Sequence, residues 1–326
     1  MSNPTANKKV IAIGGGAGLH GLLQGLMAYD LDLTAIITVA DDGGSSGRIR
    51  KDFNIPPPGD IRRCLVALSK ADPLIADLFE YRFKKGSLKG HSFGNLFIAV
   101  LAELSGDFRQ ALERARTLLS VDGAVIPATD VKVVLVADHP DGSKSTGEQA
   151  ISRSSKPIQS LSLVPRPPKV SAEICEAIAA ADLICLGPGS LYTSIMPNLL
   201  VPGLVAAINR ADAKVLFVAN LLTQPGETDD FDLESHLRAF DRLEQPLQLD
   251  EVMIHDDDID LATKDTGYGD LAKVVLPRMS ATRKGPQLIR RPLVASGRKV
   301  RHDPAKLARA IRARLVDEET GREATL

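Results

Sequence analysis

Again and again along this chain a short apolar run stops at a cluster of glycines or small polar residues. Residues 10–13 run into Gly14-Gly15-Gly16-Ala17-Gly18, and Leu19, Leu22, Leu23 and Leu26 then follow at helical spacing. Residues 33–39 run into Asp41-Asp42-Gly43-Gly44-Ser45-Ser46, residues 183–186 into Gly187-Pro188-Gly189-Ser190, and residues 215–219 into Asn220. A continuous apolar run bounded in this way is how a strand buried on both faces of a parallel sheet reads. Repeated strand-loop-helix units imply right-handed crossovers and a parallel sheet.

The fold expected is therefore α/β: a Rossmann-like parallel sheet with helices on both faces. The sequence 43–59 reads as a loop, with Pro56, Pro57 and Pro58 near its end, and Asp60 then caps a helix to about Ser69. Further helices are expected over 74–83, 95–104 and from about 108 to 119. Near Val121 the character changes. Residues 131–136, a turn at Asp141-Gly142 and residues 160–164 carry hairpin signals, so an inserted antiparallel β region is expected over about 121–167. The α/β rhythm returns with a helix over 172–180; residues 252–255 and 273–276 read as late strands, and 304–315 as a terminal helix. These elements give one domain over 9–315, with flexible tails at 1–8 and 316–326.

Lysine plus arginine (40) nearly balances aspartate plus glutamate (41), so no global basic field recruits nucleic acid. Anion recognition must be local. Cys64, Cys175 and Cys185 lack CxxC spacing and read as reduced thiols of a cytoplasmic protein. No run of 18 apolar residues exists, so no membrane span is expected. With no Trp and 4% aromatic residues, stacking on nucleic-acid bases is not an expected binding mode.

In open α/β sheets ligands bind outside the carboxyl ends of the strands, which is where the glycine loops fall. Gly16, Gly18 and Gly21 match the dinucleotide fingerprint in its proper place, after a strand and before a helix. Glycines let backbone N–H groups approach a phosphate, and a helix N-terminus adds partial positive charge. The acids nearest in sequence, Asp41 and Asp42, lie further on than that fingerprint requires, which favours a nucleotide generally over a nicotinamide cofactor. A tight β-α turn is the structural alternative. At 187–194 the hydroxyls of Ser190, Thr193 and Ser194 add donors for a diphosphate, or cap the following helix.

Asn220, Thr223 and Gln224 can read a base or sugar. His91, Ser92 and Asn95 bring an imidazole, a hydroxyl and an amide within five residues; Asp41, Asp42 and His91 are the catalytic candidates. The run His255-Asp256-Asp257-Asp258 matches no standard cation site. HExxH and a Walker lysine after either glycine loop are both absent.

Five stretches together resemble the bacterial gluconeogenesis factor (YvcK-like) family, across about residues 9–315. They are Val-Ala-Asp-Asp-Gly-Gly-Ser-Ser-Gly-Arg (39–48), Pro-Pro-Pro-Gly-Asp-Ile-Arg (56–62), His-Ser-Phe-Gly-Asn-Leu (91–96), Gly-Pro-Gly-Ser-Leu-Tyr-Thr-Ser (187–194) with Pro-Asn-Leu-Leu-Val (197–201), and Asn-Leu-Leu-Thr-Gln-Pro-Gly-Glu-Thr (220–228). The family is related to the CofD-like 2-phospho-L-lactate transferases.

The resemblance implies a cytoplasmic regulatory protein needed for growth on gluconeogenic carbon sources and for cell shape. It implies binding of a UDP-sugar such as UDP-N-acetylglucosamine, and regulatory protein partners or self-association. It implies that Gly14, Gly15, Gly16, Gly187, Gly189 and Ser190 lie nearest the diphosphate, and that Tyr268 and Arg301-His302 face the ligand. Gly18, Asp41, Asp42, Ser45, Ser46, Asn95, Thr193, Asn220, Thr223 and Gln224 complete the expected set. Ala17 stands where relatives commonly carry threonine, which removes one hydroxyl from the first loop. The rival expectation is a phospholactyl transferase in which Asp41 and Asp42 hold Mg²⁺ against a departing diphosphate, with Asp42 the principal ligand. Against it, the transferases lack the proline segment at 56–58.

Overall fold

The computed structural model describes residues 5, 7–268, 272–278 and 285–316. Its strands are β1 (Lys8–Gly14), β2 (Leu31–Ile37), β3 (Ala124–Pro127), β4 (Val134–Asp138), β5 (Lys144–Thr146), β6 (Ser160–Val164), β7 (Leu183–Leu186), β8 (Lys214–Val218), β9 (Glu251–His255) and β10 (Gln287–Arg291). Among the described residues seven of them form one sheet in the order β10-β9-β8-β7-β1-β2-β3, and every neighbouring pair is parallel. The expected α/β class and parallel sheet are what the chain adopts. The reason is visible in β1, where Val10, Ile11, Ala12 and Ile13 are all buried: a strand covered on both faces cannot alternate polar and apolar residues.

Chain order along the sheet reverses between β1 and β7. From β1 the chain moves outward through β2 to β3, and from β7 it moves outward the other way through β8 and β9 to β10. That gap is the topological switch point, where connections leave on opposite faces and open a crevice. Helix α1 (Gly16–Leu26) leaves β1 and buries Leu19, Leu22, Leu23 and Leu26. Helix α12 (Pro304–Val316) lies on α1 so closely that a side chain at Gly25 would sit 2.2 Å from the Pro304 carbonyl oxygen.

The structure corrects several expectations. Residues 124–127 do not belong to an insertion; β3 extends the main sheet beside β2, and the antiparallel sheet β5-β4-β6 begins only at Val134. Local hairpin chemistry at Asp141-Gly142 marks the small sheet correctly, but nothing local distinguishes an edge strand of the large one. The supposed loop 43–59 holds helix α2 (Gly44–Asp52), with Ser45, Ser46, Gly47 and Ile49 buried by tertiary contacts. Asp60 is not the cap of the next helix. Helix α3 (Gly59–Ala67) starts after Pro58, and Asp60 sits in its first turn. Residues 273–276 form no strand, only a single bridge from Val274 to Leu222, while the unexpected β10 closes the sheet edge. Lys8 opens β1, and Thr5 is buried and accepts a hydrogen bond from Arg312 at 3.4 Å, so these two residues of the supposed tail are packed. Residues 1–4, 6 and 317–326 lie outside the described residues.

Leu135, Ala137, Leu163 and the nearby Ile151 join the same apolar core as the large sheet, which fixes the small sheet against it. Among the described residues no single helix is long and apolar enough to cross a membrane.

Candidate functional site

The two strands flanking the switch point, β1 and β7, are the two that end in glycine loops. The loops touch. A Cβ at Gly18 would lie 2.3 Å from the Pro188 carbonyl oxygen, and one at Gly189 would lie 3.3 Å from the Gly15 carbonyl oxygen. Only glycine at 18 allows that approach. Asn198 locks the pair from behind, its Nδ2 donating to the carbonyls of Gly14 (3.2 Å) and Ser194 (2.8 Å). After the second loop the chain forms a π-helical turn, Leu191–Ile195, running into α9 (Met196–Leu199). Such turns are rare and favour functional sites.

Between the loops opens a cleft of about 630 Å³. Its floor is Gly15, Gly16, Gly18, Gly189 and Ser190. Its far wall carries Asn220, Gln224, Tyr268 and Arg301, so side chains from three separated segments meet there. They are connected: Gln224 Nε2 donates to Ser190 Oγ (2.6 Å) and to Tyr268 Oη (3.2 Å), and Asn220 Nδ2 donates to Gln224 Oε1 (3.2 Å). Beside Arg301 stands His302, whose ring pKa is pushed down to about 4 by burial and by nearby His255, so it is neutral at physiological pH. Its Nε2 has no hydrogen-bond partner among the described residues. A cleft of about 700 Å³ between Asp52–Pro56 and Ala99–Arg109 has neither a glycine loop nor a place at the strand carboxyl ends.

Other predicted residues stand behind the cleft. Asp41 Oδ1 accepts from the Gly43 amide (2.7 Å), and Asp42 Oδ1 accepts from Gln149 N (3.1 Å) in the first turn of α7 (Glu148–Ser152). Ser45, His91 and Asn95 meet as one polar knot: Ser45 Oγ lies 3.3 Å from His91 Nδ1 and from Asn95 Nδ2, and Asn95 Oδ1 accepts from the buried Arg62 at 2.9 Å. His91 thus faces Ser45 rather than the cleft floor; burial and Arg48 hold its pKa below the ordinary histidine value. Ser46 hydrogen-bonds Asp41. Thr193 donates to Glu227 (3.2 Å), and Thr223 Oγ1 accepts from Lys273 N (2.9 Å), so both hydroxyls are occupied inside the protein. Gly14 and Gly187 lie at the strand ends beneath the floor.

Two acids that sequence reasoning gave no firm place complete the site. Asp60 Oδ2 accepts from Gly16 N at 2.8 Å, so it occupies the first amide of α1. Glu148, from the inserted region, lines the cleft; burial first, then Asp41, Asp60, Glu227 and Asp42, raise its pKa to about 9. Asp41 is raised by burial and by Asp60, and Glu227 by burial. No motif surrounds Glu148, and its partners lie far away in sequence, which is why it could not be foreseen.

The donor set is suited to Mg²⁺, which takes one or two carboxylates together with ligand phosphates. Among the described residues, however, only His255, Asp256 and Asp257 bring three ligand atoms within 4.8 Å of one another, and none of the three lines the cleft. Asp42 already has an internal donor in Gln149.

A family model described as "2-phospho-L-lactate transferase CofD" matches residues 10–294. The chain belongs to the CofD family. Within it, the chain is 47% identical to a gluconeogenesis factor of Halalkalibacterium halodurans over 71% of this chain and 72% of that one. It is 45% identical to the gluconeogenesis factor of Bacillus subtilis over 77% of this chain and 80% of that one. A crystal structure of a UPF0052 family member from Bacillus halodurans superposes with a TM-score of 0.87 at 41% identity, covering 94% of this chain and 98% of the other. The CofD assignment agrees with the resemblance carried by the five sequence motifs.

Proposed function

We propose that this CofD family member is a gluconeogenesis factor that binds a UDP-sugar of the UDP-N-acetylglucosamine type and reports its level to protein partners. In this reading it works in the cytoplasm as one domain over 9–315, supporting growth on gluconeogenic carbon sources and cell shape. The observation that carries the reading is the contact between the two glycine loops at the switch point. Glycines of both the β1 and β7 loops line one cleft, where the absence of side chains lets a diphosphate approach the backbone. Arg301 supplies a cation at the rim, and the Asn220-Gln224-Tyr268 chain supplies amide and phenol groups for base or sugar. Signalling then requires a partner that distinguishes the liganded from the empty cleft. Calorimetric titration with UDP-N-acetylglucosamine should give saturable heat that is lost in Arg301→Ala; absence of heat at millimolar ligand would discard the reading.

The carboxylates around Glu148 favour a second reading. There Asp41 and Asp42 would hold Mg²⁺, which would neutralise charge on the donor's diphosphate; an acceptor hydroxyl attacks the lactyl-bearing phosphorus of lactyl-diphospho-guanosine, the bridging P–O bond breaks, and guanosine monophosphate leaves as the hydroxyl proton is lost. Formation of product from lactyl-diphospho-guanosine and a deazaflavin acceptor, abolished in Asp42→Ala, would establish that chemistry.

A further inference from the structure

The cleft is not polar throughout. Near the start of α1 it is lined by Ser194, whose Oγ would lie 3.6 Å from a Cβ at Gly16, and by Glu148, whose acidic neighbours include the Asp60 that holds the Gly16 amide. Further along α1 the lining turns apolar. Pro304 packs over Gly21, where a Cβ would sit 3.7 Å from the proline Cγ. Gly21 stands one and a half turns beyond Gly16, or about 7.5 Å along the helix axis. Leu221, Leu222, Val300 and Leu307 complete that end, and the first three belong to a small apolar cluster apart from the main core. A diphosphate held at the glycine loops therefore has a polar side suited to a sugar and an apolar side suited to the flat faces of a nucleobase.

One polar side chain comes from the chain segment between Val300 and Pro304. Among the described residues that line the cleft, His302 alone carries a buried side-chain atom with no hydrogen-bond partner, its Nε2. Burial and nearby His255 keep the ring neutral, so it carries one N–H, and that N–H is committed to the Ala219 carbonyl. A hydrogen bond at one ring nitrogen fixes the state of the other, so Nε2 presents a lone pair. The backbone here is held in place. His302 bridges to Val294, and Asp303 after it accepts from the amides of Ala305 and Lys306, each at 3.0 Å, at the start of α12. A buried acceptor left unpaired is costly, and a ligand that supplies a donor there removes the cost.

Nucleobases differ at this point of chemistry. Uracil presents N3–H and guanine N1–H, whereas cytosine N3 and adenine N1 are lone-pair acceptors, and the Watson–Crick edge is where a base pocket reads its ligand. We propose, on the reading that the glycine loops hold a nucleotide diphosphate, that His302 selects the base: its Nε2 accepts the ring N–H of uracil or guanine and turns away cytosine and adenine. A site built to pair with a ligand N–H rejects the analogue lacking it more strongly than an apolar wall rejects a small change of shape.

Calorimetric titration of the full chain with UDP and with CDP compares two ligands alike in size, charge and ribose. UDP should bind at least ~10-fold more tightly, the order of effect that one lost hydrogen bond represents. GDP against ADP makes the same comparison among purines, and the tighter of UDP and GDP names the base. In His302→Phe, which keeps a ring and removes the acceptor, the preference should vanish while the phosphates still bind. CDP as tight as UDP in the unaltered chain overturns the role of His302 and leaves the diphosphate reading in place. A variant that weakens both ligands by the same factor, with the preference intact, overturns that role too, since a purely structural residue would behave so. Heat from none of the four nucleotides overturns the diphosphate reading itself, and the role of His302 falls with it.

Discussion

At the scale of single residues, the site depends on atoms that have no room to move. Gly18→Val would drive a side chain into the Pro188 carbonyl, since even a Cβ would lie 2.3 Å away. Overpacking of that kind typically costs about 1–3 kcal/mol, so the melting temperature should fall and the two loops should part. Nucleotide-sugar affinity, read by calorimetry, should drop by at least an order of magnitude, roughly the factor that ~1.4 kcal/mol represents.

Glu148 gives a second prediction, of pH dependence. Its pKa in the fold, about 9, is above the 4.5 of the free side chain, so between those values the folded state holds a proton that the unfolded state has lost. Stability from this group is therefore complete below pH 4.5 and falls as pH rises towards 9. An anionic ligand in the cleft adds to the penalty for ionisation, so its affinity should weaken as pH climbs through about 9. Glu148→Gln should flatten both profiles in denaturant titration and calorimetry. Survival of the full pH dependence in the variant would place its origin elsewhere. The glycine loops that line the cleft were legible because their chemistry is concentrated in short stretches. Glu148 was not, because the four acids that shift it come from distant parts of the chain.

At the scale of elements, the legible features were those with a local period or a local breaker. The buried strands β1, β7 and β8 announced themselves, as did the apolar stripe of α1. Helix α2 was hidden because its sequence, Gly-Ser-Ser-Gly-Arg-Ile-Arg-Lys-Asp, has poor intrinsic propensity, with glycine and serine disfavoured in helices. Gly47 is required there: a Cβ would lie 1.9 Å from the Asp42 carbonyl oxygen.

Helix α12 shows how an element far from the chemistry holds a wall of the cleft. Pro304 and Leu307 line the cleft, and Arg301 and His302 immediately precede the helix. Near its other end Arg314 forms a forked ion pair with the buried Glu251 of β9, the Nε to Oε2 arm at 2.9 Å. Arg314→Leu strands a buried carboxylate, which costs on the order of 3–5 kcal/mol. Thermal unfolding should register that loss. Arg314→Leu combined with Glu251→Leu should recover much of it, because replacing both members of a buried pair with apolar groups is often neutral. Failure of the second change to recover stability would mean that α12 is held chiefly by its packing on α1.

At the scale of the whole molecule, the switch point divides the sheet into two groups of strands that reach the cleft from opposite sides. One group, β1-β2-β3, brings the first glycine loop and the Asp41-Asp42 turn; the other, β7 to β10, brings Ser190, Asn220 and Gln224. The small sheet adds Glu148 from above through α7. A ligand seated between the loops would bind the native state alone, and at a hundred times its dissociation constant would stabilise it by about 2.7 kcal/mol. For a chain of 326 residues that energy corresponds to a rise in melting temperature of roughly 3–6 °C, scaling down from smaller domains. UDP-N-acetylglucosamine should produce that rise, and hydrogen exchange should slow in the 14–18 and 187–190 loops together with α7. Protection confined to one loop would mean that the ligand does not bridge the switch point, and the reading built on the contact between Gly18 and Pro188 would have to be abandoned.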